Sequence, residues 1–250
     1  MLIKVGCCGF PVSRSKYYKT FNVVEIQQTF YDLPRIEIIK RWREEAGPQF
    51  EFTVKAWQIL THPPSSPTWR RMRTCIEPSL RDKYGFLKPT KENFEAWDKF
   101  IEVIKPLNAR IIVFQTPPSF GYSKEHVANV KEFFSSINRR NYLIAWEPRG
   151  TWYEYRNELS KLLNELDLIH IVDPLRRAPA RITKLLYFRL HGLGPSEVNY
   201  KYKYTDNDLK KLKDIVFEFK DQVREIYVMF NNIYMFNDAI RFKQIIEGSS

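Results

Sequence analysis

The sequence predicts a (β/α)8 barrel, on three observations. Eight short runs rich in β-branched residues recur along the chain, helical spacing of apolar residues fills most of the intervals between them, and 250 residues is a length at which a parallel barrel commonly folds as one domain. Residues 1–250 are therefore expected to form a single domain.

Taken in order, the first strand is expected at 2–7, where Leu2-Ile3-Lys4-Val5 begins an extended run, and the second at 22–28. A helix at 34–46 leads to a strand at 50–55. From Trp57 to Pro89 the rhythm breaks. Pro63, Pro64, Pro67, Pro78 and Pro89, with Trp57 and Trp69, mark a long irregular excursion after strand three, suited to a lid. Helix 90–105, opened by Thr90, precedes strand 109–114, and helix 123–138, opened by Ser123, precedes strand 142–146. Helix 153–166, opened by Thr151, precedes strand 168–172. Strand 185–191 runs into Gly192 to Tyr204, where tyrosine alternates with lysine. Helix 206–221 starts at Thr205, with Asp208 three residues on in the form of a capping box; strand 225–230 and helix 234–247 complete the pattern.

Composition narrows the class of protein. Hydrophobic residues make up 44%, no apolar stretch reaches membrane-spanning length, and the N-terminus has no signal-peptide pattern, so a soluble cytoplasmic protein without membrane association is expected. Cys7, Cys8 and Cys75 leave an odd thiol and no disulfide framework, which suits a reducing compartment. Forty Lys and Arg against twenty-nine Asp and Glu give a net charge of +11. Such an excess favours anionic partners, although charge-rich, Gly-poor chains also occur among heat-adapted proteins. Nothing in the pattern points to an oligomeric state.

Position supplies the test for function, because barrel active sites form at the C-terminal ends of the strands. Those ends are polar here. Period-two alternation places Glu25, Gln27 and Thr29 opposite Val24 and Ile26, hence toward the barrel interior if helices cover the outside. Strand three ends at Lys55, strand four at Gln115, strand five at Glu147 and Arg149, strand six at Asp173, strand seven at Arg189 and His191, and strand eight at Asn231 and Asn232. His62 stands in the Pro-rich excursion as a loop hydrogen bonder or an acid or base; His126 is assigned to a surface helix and His170 to strand packing. Cys8 reads as a small apolar filler rather than a nucleophile. Glu25 and Glu147 are candidates for general acid and base, with Lys55 and Arg149 binding an anion. Glu25, Glu147, Asp173 and His191 would also suit a divalent metal, but neither H-E-x-x-H nor C-x-x-C spacing occurs, so no metal ligands are assigned and no cofactor is named.

Eight short motifs in order support a resemblance to a known family. They are Gly6-Cys7-Cys8-Gly9-Phe10, Glu25 to Tyr31, Leu60-Thr61-His62, Gln115-Thr116-Pro117, Glu147-Pro148-Arg149, Arg189-Leu190-His191-Gly192, Tyr200 to Tyr204 and Phe230-Asn231-Asn232. In that register the chain resembles the YecE-like proteins, domain of unknown function 72, over nearly its whole length. Gln27 stands where that family more often has Asn, and Cys8 where Ser is common. The resemblance implies a TIM barrel with a pocket at the strand ends and no established reaction.

The function expected from these residues is that of an enzyme, or a former enzyme, acting on a phosphorylated or otherwise anionic small molecule, as an acid/base or metal-assisted hydrolase or isomerase. Glu25 and Glu147 serve as acid and base and His191 as proton shuttle, while Lys55, Arg149 and Arg189 bind charge. Gln27, His62, Gln115, Tyr202, Asn231 and Asn232 complete the ligand site. The alternative is a nucleic-acid-binding protein that stacks bases on Tyr200, Tyr202 and Tyr204, contacts phosphates through Lys201 and Lys203, and uses the clusters Arg70-Arg71, Arg139-Arg140 and Arg176-Arg177.

Overall fold

A computed structural model describes residues 1–248. Eight parallel strands close into a barrel in sequence order: β1 (Leu2–Cys8), β2 (Val23–Ile26), β3 (Glu51–Lys55), β4 (Ile111–Gln115), β5 (Leu143–Glu147), β6 (Ile169–Val172), β7 (Leu185–Leu190) and β8 (Glu225–Phe230). All eight fall where the β-branched runs predict them. The helices are α1 (Arg14–Thr20), α2 (Gln28–Tyr31), α3 (Ile36–Ala46), α4 (Gln58–Thr61), α5 (Lys91–Ile104), α6 (Lys124–Ser136), α7 (Arg156–Glu165), α8 (Asp206–Glu218) and α9 (Met235–Glu247). Among the described residues no helix is long and apolar enough to cross a membrane. Contacts gather in two compact units, one made of Met1–Ile26, Glu45–Glu51 and the chain from Ile169 onward, the other of Gln27–Glu44 and Phe52–Leu168.

In the first unit β1 lies between β2 and β8, with Leu2 opposite Glu225 and Cys8 opposite Glu25. Strand alternation sends adjacent cysteines to opposite faces. Cys7 meets the helical layer, where its Sγ approaches the Met235 carbonyl at 3.4 Å and its amide donates to the Tyr17 hydroxyl at 2.8 Å. Tyr17 is the one buried residue of α1, a helix the sequence did not announce because a seven-residue polar segment carries too few apolar positions to show a period. On the opposite face of the strands the rings of Tyr187 and Tyr227 stack with centroids 5.3 Å apart.

The second unit pairs β3 with β4 and β4 with β5. Phe114 packs against Trp97 of α5 and against Phe133 and Phe134 of α6, so its face of β4 is the helix-covered one. Val113 and Gln115 therefore face the barrel interior.

Local departures from expectation have identifiable causes. β2 stops at Ile26, and the chain turns into α2, which lets the Thr29 hydroxyl donate to the Lys55 carbonyl at 2.7 Å. Gln27 caps that turn in αR conformation instead of extending the strand. Thr151 does not cap α7. It lies in a 3-10 turn, Gly150–Tyr155, and its hydroxyl accepts from the Tyr122 amide at 2.9 Å. Residues 57–62 of the Pro-rich excursion are buried, and irregular chain begins only after them, with 3-10 turns at Pro67–Arg71 and Pro78–Lys83. This segment is tied down: Asp32 accepts from the Arg73 amide at 3.1 Å, Trp69 Nε1 donates to the His62 carbonyl at 2.9 Å, and Arg71 stacks on Tyr31. Residues 173–184 join β6 to β7 without a helix.

The capping box forms as predicted, with the Asp208 amide donating to Thr205 Oγ1 at 3.2 Å and Asp208 accepting from the Thr205 amide at 2.8 Å. Thr205→Ala is expected to cost about 1 kcal/mol of unfolding free energy, read by urea denaturation, with an unchanged m-value.

Candidate functional site

Polar side chains collect at the strand ends in both units, and each set has its own internal logic. In the second unit Lys55 ends β3 opposite Val113, and Gln115, two residues on along the same face of β4, stands opposite Glu147 at the end of β5. Register alone thus brings Lys55, Gln115 and Glu147 side by side. The Lys55 ammonium donates to Gln115 Oε1 at 3.0 Å and sits 3.9 Å from the centroid of Phe30. Arg149 donates from Nε to Glu147 Oε1 at 2.8 Å, and its terminal nitrogen reaches the same oxygen. Gly150 then turns the chain at φ +71, where a Cβ would lie 2.4 Å from the Pro118 carbonyl oxygen. Only glycine fits there, so the turn fixes where Arg149 leaves the strand.

His62 joins this set through Phe30, whose ring meets the imidazole edge-on at 4.9 Å, while Nδ1 lies 2.8 Å from the Thr61 hydroxyl. Burial, and then the charges of Lys55 and Arg149, push the imidazole down to about 3. Neutral His62 is therefore the form present at neutral pH, and the field around it is cationic.

In the first unit Glu25 and Arg189 are both fully inaccessible and form an ion pair at 2.9 Å. Arg189 donates to Glu25 Oε1, and the Tyr187 hydroxyl donates to Oε2 at 2.7 Å. Both oxygens of Glu25 thus meet donors of the barrel itself. Cys8 lies next to it, its thiol pushed well up by burial and by the Glu25 charge, which agrees with a filler and not a nucleophile. His191 and Asn231 do come together as their positions suggest: His191 Nδ1 lies 3.1 Å from the Asn231 amide nitrogen.

Other expected ligand contacts are spent on loop structure. Asn232 is buried and donates to both the Tyr202 carbonyl and Asp238 at 2.7 Å. Tyr202 donates its hydroxyl to Asp208 at 2.7 Å. Tyr204 is buried, accepts from the Gly192 amide at 2.8 Å and packs edge-on against Phe230, leaving Tyr200 as the exposed member of the three. A base-stacking rim needs open rings, and this segment does not supply a row of them. Asp173 accepts from the Leu175 amide at 3.0 Å and faces Arg176 at 3.8 Å. Among the described residues no three His, Cys, Asp or Glu side chains are grouped to hold a metal ion. His126 sits on α6 with its ring 4.2 Å from that of Phe120, and His170 accepts from the Ala180 amide at 2.8 Å; both serve packing. Phe30 is the site residue that sequence reasoning passed over. It reads as core, and only its stacking under Lys55 reveals a second role.

Two tests follow from this geometry. Glu25→Gln leaves a buried guanidinium without its counter-charge and is expected to cost about 3–5 kcal/mol in chemical denaturation. His62 has a folded value below its ordinary 6.5, so its contribution to stability is whole above pH 6.5 and is lost as pH falls toward about 3. Comparison with His62→Gln across that window should show the wild type losing stability more steeply. NMR should find no His62 titration between pH 5 and 8.

Comparison with known proteins agrees with the fold. A family model described as "Protein of unknown function DUF72" matches residues 13–247. The UPF0759 protein YunF of Bacillus subtilis (strain 168) is 23% identical over 258 residues, covering 92% of this chain and 84% of that protein. Among solved structures, a DUF72 family protein from Enterococcus faecalis V583 superposes with a TM-score of 0.76 at 19% identity, covering 98% of each chain. One from Thermotoga maritima MSB8 gives 0.72 at 25% identity, covering 99% of this chain and 100% of that one. D-psicose 3-epimerase shares the fold at a TM-score of 0.58 and 12% identity, covering 99% of each chain.

Proposed function

The chain belongs to the DUF72 family of proteins of unknown function, and from that premise we propose that it binds a phosphorylated sugar at the ends of β3, β4 and β5 and transfers a proton on it. The observation that carries this reading is the row of Lys55, Gln115, Glu147 and Arg149, its charged members buried: two cations and an oriented carboxylate held at adjacent strand ends. Lys55 and Arg149 bind the phosphoryl group, whose charge their desolvated ammonium and guanidinium are suited to meet. Gln115, fixed by Lys55, orients a hydroxyl. Glu147, steered by Arg149, exchanges the proton. Neutral His62 donates or accepts a hydrogen bond without adding charge. The sugar part of the reading rests on the shared fold with an enzyme named as a D-psicose 3-epimerase, an analogy of fold and not of residues.

Isothermal titration with a panel of aldose and ketose phosphates, each with and without magnesium, tests it. At least one compound should bind the wild type, and Lys55→Met should weaken that binding by about tenfold or more. Glu147→Gln should retain binding while slowing exchange of a substrate carbon-bound proton, followed by NMR in deuterium oxide. A panel that binds nowhere, or binding indifferent to Lys55→Met, removes the proposal.

A further inference from the structure

Away from these strand ends, the first unit holds a cavity of about 640 Å³ where β1 and β2 begin. That volume falls within the range of small-molecule sites, at a barrel end that ordinarily serves stability alone. Leu2, Phe21, Phe217 and Ile246 supply apolar wall. Leu2 is 52% exposed, an unusual position for a large apolar strand residue and one that puts it at the mouth.

The charges sort by what already holds them. Lys4 is bound to Glu51 at 2.6 Å, faces Glu225 at 3.6 Å and donates to the Tyr227 hydroxyl at 3.0 Å. Lys243 donates to the Thr20 carbonyl at 3.2 Å and has Glu247 at 3.8 Å. Lys220, at the end of the chain segment that carries Phe217, lines the cavity, is exposed and has no carboxylate within 4.0 Å among the described residues. Of the three lysines that line the cavity it is the one left over once these pairs are made.

We propose that this cavity is a second binding site, for a small amphipathic monoanion whose apolar body lies along Leu2, Phe21 and Phe217 and whose head group meets Lys220. Apolar burial supplies the affinity, and the lysine sets the sign of the ligand. A cationic ligand would have to compete with Lys4 for Glu51, and a neutral one would leave Lys220 without a role.

The test uses 8-anilinonaphthalene-1-sulfonate as a fluorescent probe of the intact chain, with octanoate as competitor. The expected result is saturable binding of one probe per chain, displaced by octanoate. Lys220→Glu and Leu2→Asp, both at exposed positions, should each weaken the probe about tenfold without moving the thermal midpoint. Lys91→Glu, an equal charge change on α5, should leave binding as it was. Absence of saturable binding, failure of octanoate to compete, or equal affinity in all variants would overturn the site. None of these outcomes bears on Lys55 or Glu147, so this proposal and the sugar phosphate reading stand or fall separately.

Discussion

The ion pair between Glu25 and Arg189 is the constraint that the interior of the first unit is built around. Two charges at zero exposure have lost their hydration, and Coulomb attraction repays that cost only when geometry is good and remaining donors and acceptors are met. Both oxygens of the carboxylate are met. Tyr187 takes the second carboxylate oxygen, and its ring stacks on Tyr227, whose hydroxyl in turn receives the Lys4 ammonium. Charge and aromatic ring thus alternate along the inner face from Arg189 down to Lys4. A parallel barrel usually fills that space with branched aliphatic side chains. Here the filling is polar, and each group depends on the next.

The second unit has a buried ion pair of its own, Arg149 on Glu147, with a second cation beside it. Lys55 rests on the face of Phe30, an aromatic ring that attracts a cation without neutralising it. Arg149 is oriented by Glu147, and the nearby imidazole of His62 stays neutral because two cations and burial together oppose its protonation. The chemical character is an oriented carboxylate within a cationic surround, a combination suited to holding an anion while a proton moves.

How much of this was legible in the sequence differs by level. The strands were, because Val23-Val24 and Ile111-Ile112-Val113 carry their preference locally. So were the caps of α5, α6 and α8, where Thr90, Ser123 and Thr205 accept from a backbone amide three residues on. The inward placement of Lys55, Gln115 and Glu147 follows from period-two alternation plus register. Partners were not legible. Asn232 and Tyr202 look like ligand contacts at a strand end until Asp238 and Asp208, from α9 and α8, are seen to occupy them. The strand alternation that was to place Gln27 does not reach it, because β2 stops at Ile26 and Gln27 has αR backbone at the start of α2. Glu25 illustrates the limit: alternation places it inward, but only the structure shows that its two oxygens meet Arg189 and Tyr187.

The opposite orientations of Cys7 and Cys8 settle how this chain meets thiol reagents. Neighbouring residues on one strand cannot join as a disulfide while the strand persists, and both thiols are buried, with burial pushing them upward and away from the reactive thiolate. Cys75 alone is exposed, between the two 3-10 turns of the Pro-rich segment. The unaltered protein is accordingly a singly addressable molecule: a maleimide dye or nitroxide added under native conditions reports from that segment, and no cysteine need be removed first.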